Sequence, residues 1–295
     1  MSLQITETSA TGSVGLYRIV RPFRVGGGIL TAQAMHLGTD AIVVLRAQYE
    51  LGGTDAVMRH GADFSKRLFL NEAAILNRVN HPHVIRCHGI YPDDDVPHFA
   101  LQWVKPGTNC LDWLKSRRDT LSKRELIDFA PRLCSAVDAV HSASVIHRDI
   151  SPLNVVVQDG KPFLVDFGYA CSMDEDEFTP LYSETVSSGI YYGSPGLIAP
   201  EFFIGGTLGS VQSDVWSLAA TLMFMHTGRM VFDLMTEEQR SHLLRLSGQK
   251  PPDFRIADLA DPDVYEVLTR ALEVDPSRRT QTAAELGAQL SALSA

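Results

Sequence analysis

The chain has 295 residues, of which 45% are hydrophobic and 21% charged, with a formal charge of -9. That is the make-up of an ordinary globular protein, and its acidity argues against nucleic acid or an anionic membrane as the main partner, since both reward clustered Lys and Arg. Cys87, Cys110, Cys134 and Cys171 show no C-x-x-C pairing, so neither a zinc site nor a disulfide framework is indicated.

The start of the chain is polar and rich in Ser, Thr and Gly, without the basic start and apolar stretch of a signal peptide. The most apolar run, residues 215–225, is too short to span a bilayer and reads as a buried core helix. A cytoplasmic protein without a membrane span is expected.

From residue 17 to about 101, short apolar runs such as Ala41-Ile42-Val43-Val44-Leu45 alternate with turns bearing Gly and Asp, which predicts a mostly β half. Within it, Phe64, Leu68, Leu70, Ile75, Leu76 and Val79 are spaced for one face of a helix that ends before Asn80-His81-Pro82, with Glu72 near its middle. Beyond Pro106 helices dominate. Ser122 and Glu125 form a capping box ahead of Leu126, Phe129, Leu133, Val137 and Val140 at helical steps. Further starts are predicted at Thr236-Glu237-Glu238-Gln239, at Asp261-Pro262 and at Thr282-Ala283-Ala284-Glu285. Residues 169–194 are polar, acidic and aperiodic, and read as a long surface loop.

Three motifs follow one another in the second half. His147-Arg148-Asp149-Ile150-Ser151-Pro152-Leu153-Asn154 fits H-R-D-x-x-x-x-N, Asp166-Phe167-Gly168 follows an apolar strand, and Ala199-Pro200-Glu201 closes the surface loop. Any one of these tripeptides is weak evidence, whereas their order and spacing are specific.

On these motifs the sequence resembles the eukaryotic-type protein kinase family, over residues 17 to about 293. The resemblance implies an α+β, bilobal fold: an extension at residues 1–16, a small mostly antiparallel β lobe with one main helix at 17–101, a hinge at 102–106 and a larger helical lobe at 107–295. It also implies Mg-ATP as cofactor and a protein Ser or Thr as acceptor, with a regulatory partner protein possible. Asp149 would accept the hydroxyl proton, and Asn154 and Asp166 would hold metal. Gln102 and Val104 of the hinge would bind adenine through their backbone, behind a gatekeeper Leu101. Asp214, in a helix beginning at Ser213, would brace the catalytic loop. Glu201 would pair with Arg279, and His147 would pack against Phe167. Arg148 would answer to a phosphate on the surface loop, with Thr179, Ser183, Thr185, Ser187 and Ser188 as candidates. Ser194 would line the acceptor site.

The phosphate-binding half departs from the family's pattern. Gly26-Gly27-Gly28 lacks the last spaced glycine of G-x-G-x-x-G, which predicts a less complete cradle of amides. Arg46 stands where a strand lysine is expected, facing Glu72 as the helix glutamate, and Lys66 is the sole lysine before the hinge. Arginine keeps the charge and can pair with Glu72 bidentately, but its planar fork does not reproduce an ammonium's point contact. Val44 replaces the small residue above adenine, Val156 resembles the apolar residue below it, and Ser151 replaces the lysine two beyond the catalytic Asp. The expectation is a weak Ser/Thr kinase. The alternative is a pseudokinase, a nucleotide-binding or scaffold module whose Arg46–Glu72 pair fixes a kinase-like shape without turnover. A small-molecule kinase shares the Asp and Asn logic, but the A-P-E segment and Asp214-Val215-Trp216-Ser217 argue against it.

Overall fold

A computed structural model describes residues 3–6, 9–26, 28–49, 62–105, 107–117, 119–174, 196–204, 208–231 and 261–293, with the side chains of 62–65, 203 and 204 excepted. Gly27, the five candidate loop hydroxyls, Ser194 and the cap at Thr236 lie outside the described residues. The chain divides into two compact units, residues 1–80 with 85–105 and residues 81–84 with 106–295.

The first unit is a six-stranded antiparallel sheet in the order β3-β4-β5-β6-β8-β7, comprising β3 (Ser13–Val14), β4 (Tyr17–Gly26), β5 (Ile29–His36), β6 (Ile42–Gln48), β7 (Cys87–Tyr91) and β8 (His98–Gln102). A hairpin of β1 (Gln4–Ile5) and β2 (Ala10–Thr11) precedes it. Strand alternation sorts β5 and β6 cleanly. Leu30, Ala32 and Ala34 lie beside Ala47, Leu45 and Val43 and are buried, with Ala10, Val14 and Tyr17 in the same core and Leu3 and Ile5 packed against it. The polar start of the chain thus contributes apolar residues to the first unit's core.

The other face of the sheet carries Thr31, Gln33 and Met35 beside Arg46, Val44 and Ile42. Here Phe69 of helix α1 (Ala62–Leu76) meets Phe99 of β8 with ring centroids 5.0 Å apart. Beyond Ile19, β4 is the sheet's edge among the described residues, where Pro22, lacking an N–H, removes no ladder bond.

The second unit is mainly helical: α2 (Cys110–Lys115), α3 (Lys123–Ser142), α4 (Glu201–Ile204), α5 (Val211–Thr227), α6 (Pro262–Ala271) and α7 (Ala283–Ser291). α3 starts at the expected reciprocal cap between Ser122 and Glu125 and buries Leu126, Phe129, Leu133, Val137 and Val140. Asp261 and Thr282 cap α6 and α7 as their sequences predict. α5 begins earlier than expected, at Val211 rather than Ser213, because Ser210 and Ser213 cap each other's backbone. It is buried along most of its length. α7 comes close to α3 at Gly287, where an added Cβ would stand 2.9 Å from Cys134 Cβ. Three short strands, β9 (Thr108–Asn109), β11 (Val155–Gln158) and β12 (Lys161–Leu164), form one small sheet. β10 (Val145–Ile146) and β13 (Cys171–Ser172) form another. All four cysteines are free thiols. Among the described residues no helix is long and apolar enough to cross a membrane.

Candidate active site

Between β10 and β11 the chain makes the turn that carries Asp149. Arg148 sits at φ 66°, a left-handed conformation that a non-glycine residue adopts only when its surroundings enforce it. The enforcing group is Asp214 of α5, 1% exposed. Its Oδ2 accepts from the His147 N–H at 2.8 Å and its Oδ1 from the Arg148 N–H at 2.9 Å. His141 of α3 adds Nε2 at 2.9 Å from Asp214 Oδ2. Burial pushes the Asp214 carboxyl upward, but the His141 hydrogen bond and the charge and amide beside it outweigh that and hold it below the usual carboxylate range.

His147 is fully buried, and burial lowers its pKa, so the ring is neutral near pH 7. Its Nδ1 accepts from the Asp149 N–H at 3.3 Å, and its ring meets Phe167 edge-on at 4.7 Å. That packing is what the sequence predicted. Asn154 closes the loop by donating from Nδ2 to the Asp149 carbonyl at 2.9 Å and to Asp149 Oδ2 at 2.7 Å. The Val165 N–H donates to the Asn154 carbonyl at 2.9 Å, tying the approach to Asp166 to the same loop. Asp166 is exposed at φ 61°, and its Oδ1 accepts from the Gly168 N–H at 3.2 Å.

Asn154 Oδ1 and the Asp166 carboxylate are oxygen donors, the kind Mg²⁺ takes. Among the described residues no group of three or more His, Cys, Asp or Glu could hold a metal. An oxygen pair of this kind fits an ion that completes its shell with waters and substrate phosphate, as Mg²⁺ commonly does.

Arg148 turns its guanidinium inward, with Nε donating to the Tyr169 carbonyl at 2.6 Å and Nη1 to the Leu208 carbonyl at 3.4 Å. Arg279 and Glu201 form the predicted pair as a two-bond fork, Nη1 to Oε1 at 2.9 Å and Nη2 to Oε2 at 3.0 Å. Arg279 also lies over the Trp216 ring, 5.0 Å from its centroid. Ser151 is 1% exposed, and its Oγ makes no hydrogen bond with the described residues. Val156 is half-buried in β11, beside Phe163 and Asn109.

In the first unit, Arg46 and Glu72 meet. Arg46 Nη1 stands 2.5 Å from both carboxylate oxygens of Glu72, and the Arg46 guanidinium carbon lies 5.8 Å from the centre of the Phe99 ring. Lys66 is not a substitute cation there, since its Nζ lies 3.9 Å from Asp93. Val44 is half-buried between Gln33 and Leu101. The Gln102 backbone N–H donates to the Arg86 carbonyl at 2.8 Å, and Val104 is buried. Gly26 and Ile29 are register partners across β4 and β5, and Gly28 sits at φ 74°.

His141 went unnoticed in the sequence because its partner lies 73 residues away and no local spacing links them. The stack of Phe23 on Trp103, 5.7 Å apart at 12°, was equally invisible.

The profile of the family described as Protein kinase domain matches residues 56–289. The chain belongs to that family. The profile match is narrower than the span from residue 17 suggested by the motifs, beginning downstream of both Arg46 and the glycine run. Among curated kinases, the chain is 32% identical to the serine/threonine-protein kinase PknK of Mycobacterium tuberculosis over 231 residues, 75% of this chain and 19% of that protein. It is 25% identical to PrkC of Bacillus subtilis over 281 residues, 94% of this chain and 40% of that one. It is 30% identical to the probable serine/threonine-protein kinase PkwA of Thermomonospora curvata over 280 residues, 95% and 34%. The chain therefore spans less than half the length of these kinases.

Proposed function

We propose that this kinase domain transfers the γ-phosphoryl group of Mg-ATP to Ser or Thr of a protein, and does so slowly. The observation that carries the reading is the hydrogen-bonded loop in which Asn154 orients Asp149 and Asp214 fixes the backbone on either side of Arg148. Asp149 would accept the acceptor hydroxyl's proton. Asn154 Oδ1 and Asp166 would hold Mg²⁺, which when bound neutralises charge on the nucleotide's phosphates. Arg46, already engaged by Glu72, would contact those phosphates, while Gln102, Val104, Val44 and Val156 would take the adenine.

Slowness is expected from Arg46 and from Ser151, which supplies a buried hydroxyl where a cation would face the acceptor phosphate. The serine/threonine kinase names of the relatives support the hydroxyl class of acceptor.

A second reading rests on the Arg46–Glu72 contact itself. This ion pair fits a pseudokinase that holds α1 in a fixed place and works on a partner by shape. A labelled-ATP transfer assay on mixed Ser/Thr peptides separates the two. Under the kinase reading, Asp149→Asn lowers transfer by roughly 10²–10⁴-fold, the usual worth of a positioned base. Equal signal from wild type and variant would rule out the enzyme.

A further inference from the structure

β4 carries three arginines, Arg18, Arg21 and Arg24, at a three-residue step that in a regular strand would send the middle one to the opposite face. Two register shifts prevent this. One extra residue, Val20, lies between Ile19 and Arg21, and another, Phe23, between Pro22 and Arg24. Arg18, Arg21 and Arg24 consequently lie opposite Met35, Gln33 and Thr31, alternate residues of one face of β5, while Ile19, Pro22 and Val25 fall opposite the buried Ala34, Ala32 and Leu30.

The rows continue across the sheet. Thr31 is the partner of Arg46, and Gln33 is the partner of Val44. Arg24–Thr31–Arg46 is thus one cross-strand row, with its two arginines two strand spacings apart, about 9–10 Å. Arg21–Gln33–Val44 is the adjacent row on the same face. All three β4 arginines are exposed, and among the described residues none makes a salt bridge, in a chain whose formal charge is -9. Arg21 lies over Phe23, 5.1 Å from its ring centre, and Phe23 stacks on Trp103, so the second bulge is packed into place.

We propose that Arg24, assisted by Arg21, is a second phosphate-binding cation for the nucleotide. It acts from the same sheet row as Arg46, beside a glycine run that lacks the last spaced glycine of G-x-G-x-x-G. The inference rests on the reading of Arg46 and Val44 as nucleotide contacts, and it makes the specificity of the site depend on a polyphosphate. Two planar guanidinium forks on one face suit the terminal oxygens of a nucleoside triphosphate better than a nucleoside.

The test is titration of the full chain with Mg-ATP and, separately, with adenosine, using wild type, Arg24→Gln, Arg21→Gln/Arg24→Gln and Arg18→Gln. Arg18, whose Nη2 lies 3.9 Å from Met35 Sδ, stands furthest along the strand from the Arg46 row and serves as the control. Arg24→Gln is expected to weaken Mg-ATP by roughly tenfold, the usual loss of one charge-assisted hydrogen bond, and the double variant by more. Adenosine affinity and the melting temperature should not change, and the salt dependence of Mg-ATP binding should become shallower. Unchanged Mg-ATP affinity in the double variant overturns the inference while leaving the nucleotide site intact. The inference also fails if the variants lose affinity for an acidic peptide while keeping Mg-ATP, since the row would then be a peptide surface. Wild type that binds neither Mg-ATP nor adenosine overturns both this inference and the nucleotide reading beneath it.

Discussion

The loop around Asp149 and the strand around Arg46 are built on different principles. Around Asp149 a single buried carboxylate, Asp214, accepts two consecutive main-chain amides and a histidine, while Asn154 and His147 bind Asp149 directly. Hydrogen bonds between these side chains and the main chain fix the geometry of the loop. Around Arg46 the scaffold is a sheet and one helix, and the side chains on its open face are long arginines. The left-handed turn at Arg148 depends on a few specific hydrogen bonds, whereas the Arg46 face offers positive charge on long, adaptable side chains.

The contrast is most sharply broken at Asp214. Asp214→Asn removes one of the acceptor oxygens shared by the His147 amide, the Arg148 amide and His141. Leaving such buried partners unmatched should cost about 3–5 kcal/mol, read from urea unfolding, and transfer activity should disappear. Wild-type stability in this variant would mean that the loop holds its left-handed turn without the carboxylate.

A smaller effect is expected at Arg46. Arg46→Lys restores a compact ammonium and should raise the rate of transfer by roughly threefold or more, while Arg46→Met should lower it. If lysine slows transfer instead, the site is built for guanidinium groups, and the comparison with the rigid Asp149 loop becomes one of two equally specific halves.

The smallest effect concerns pH. His98 is fully buried under Tyr91, whose ring stacks at 4.6 Å, with the Val96 carbonyl at 2.8 Å from Nδ1 and Asp94 at 3.8 Å from Nε2. Burial lowers its pKa more than these two neighbours raise it, and burial lowers that of His147 as well. A histidine whose folded pKa is depressed takes up its proton in the unfolded chain first. Its stabilising contribution is complete above about pH 6.5, the unfolded value, and is lost as pH falls towards the folded value. Melting curves should therefore show stability declining from neutral pH to about pH 5.5, with a shallower decline in His98→Phe. An identical slope in both proteins would remove His98 from the account.

Within the second unit much was legible from sequence, because the relevant signals are short and local. The Ser122, Asp261 and Thr282 caps act over three residues, and the loop from His147 to Asn154 folds on itself. The start of α5 was misplaced by two residues, since Ser210 and Ser213 are both able to cap and only the folded backbone chooses which does so.

By itself the sequence determined the α+β class, the kinase family, the order of the catalytic motifs, and the pairing of Arg46 with Glu72 and of Arg279 with Glu201. Those follow from residue type at fixed spacing. Only the tertiary structure decided that the first residues of the chain help build a core and that His141 reaches Asp214. It also decided that two bulges bring three arginines to the face of Arg46. The physical reason is that a strand's side chains alternate by one residue. A single inserted residue, undetectable in composition or hydrophobic pattern, reverses every face that follows it, and only cross-strand register shows where that happens.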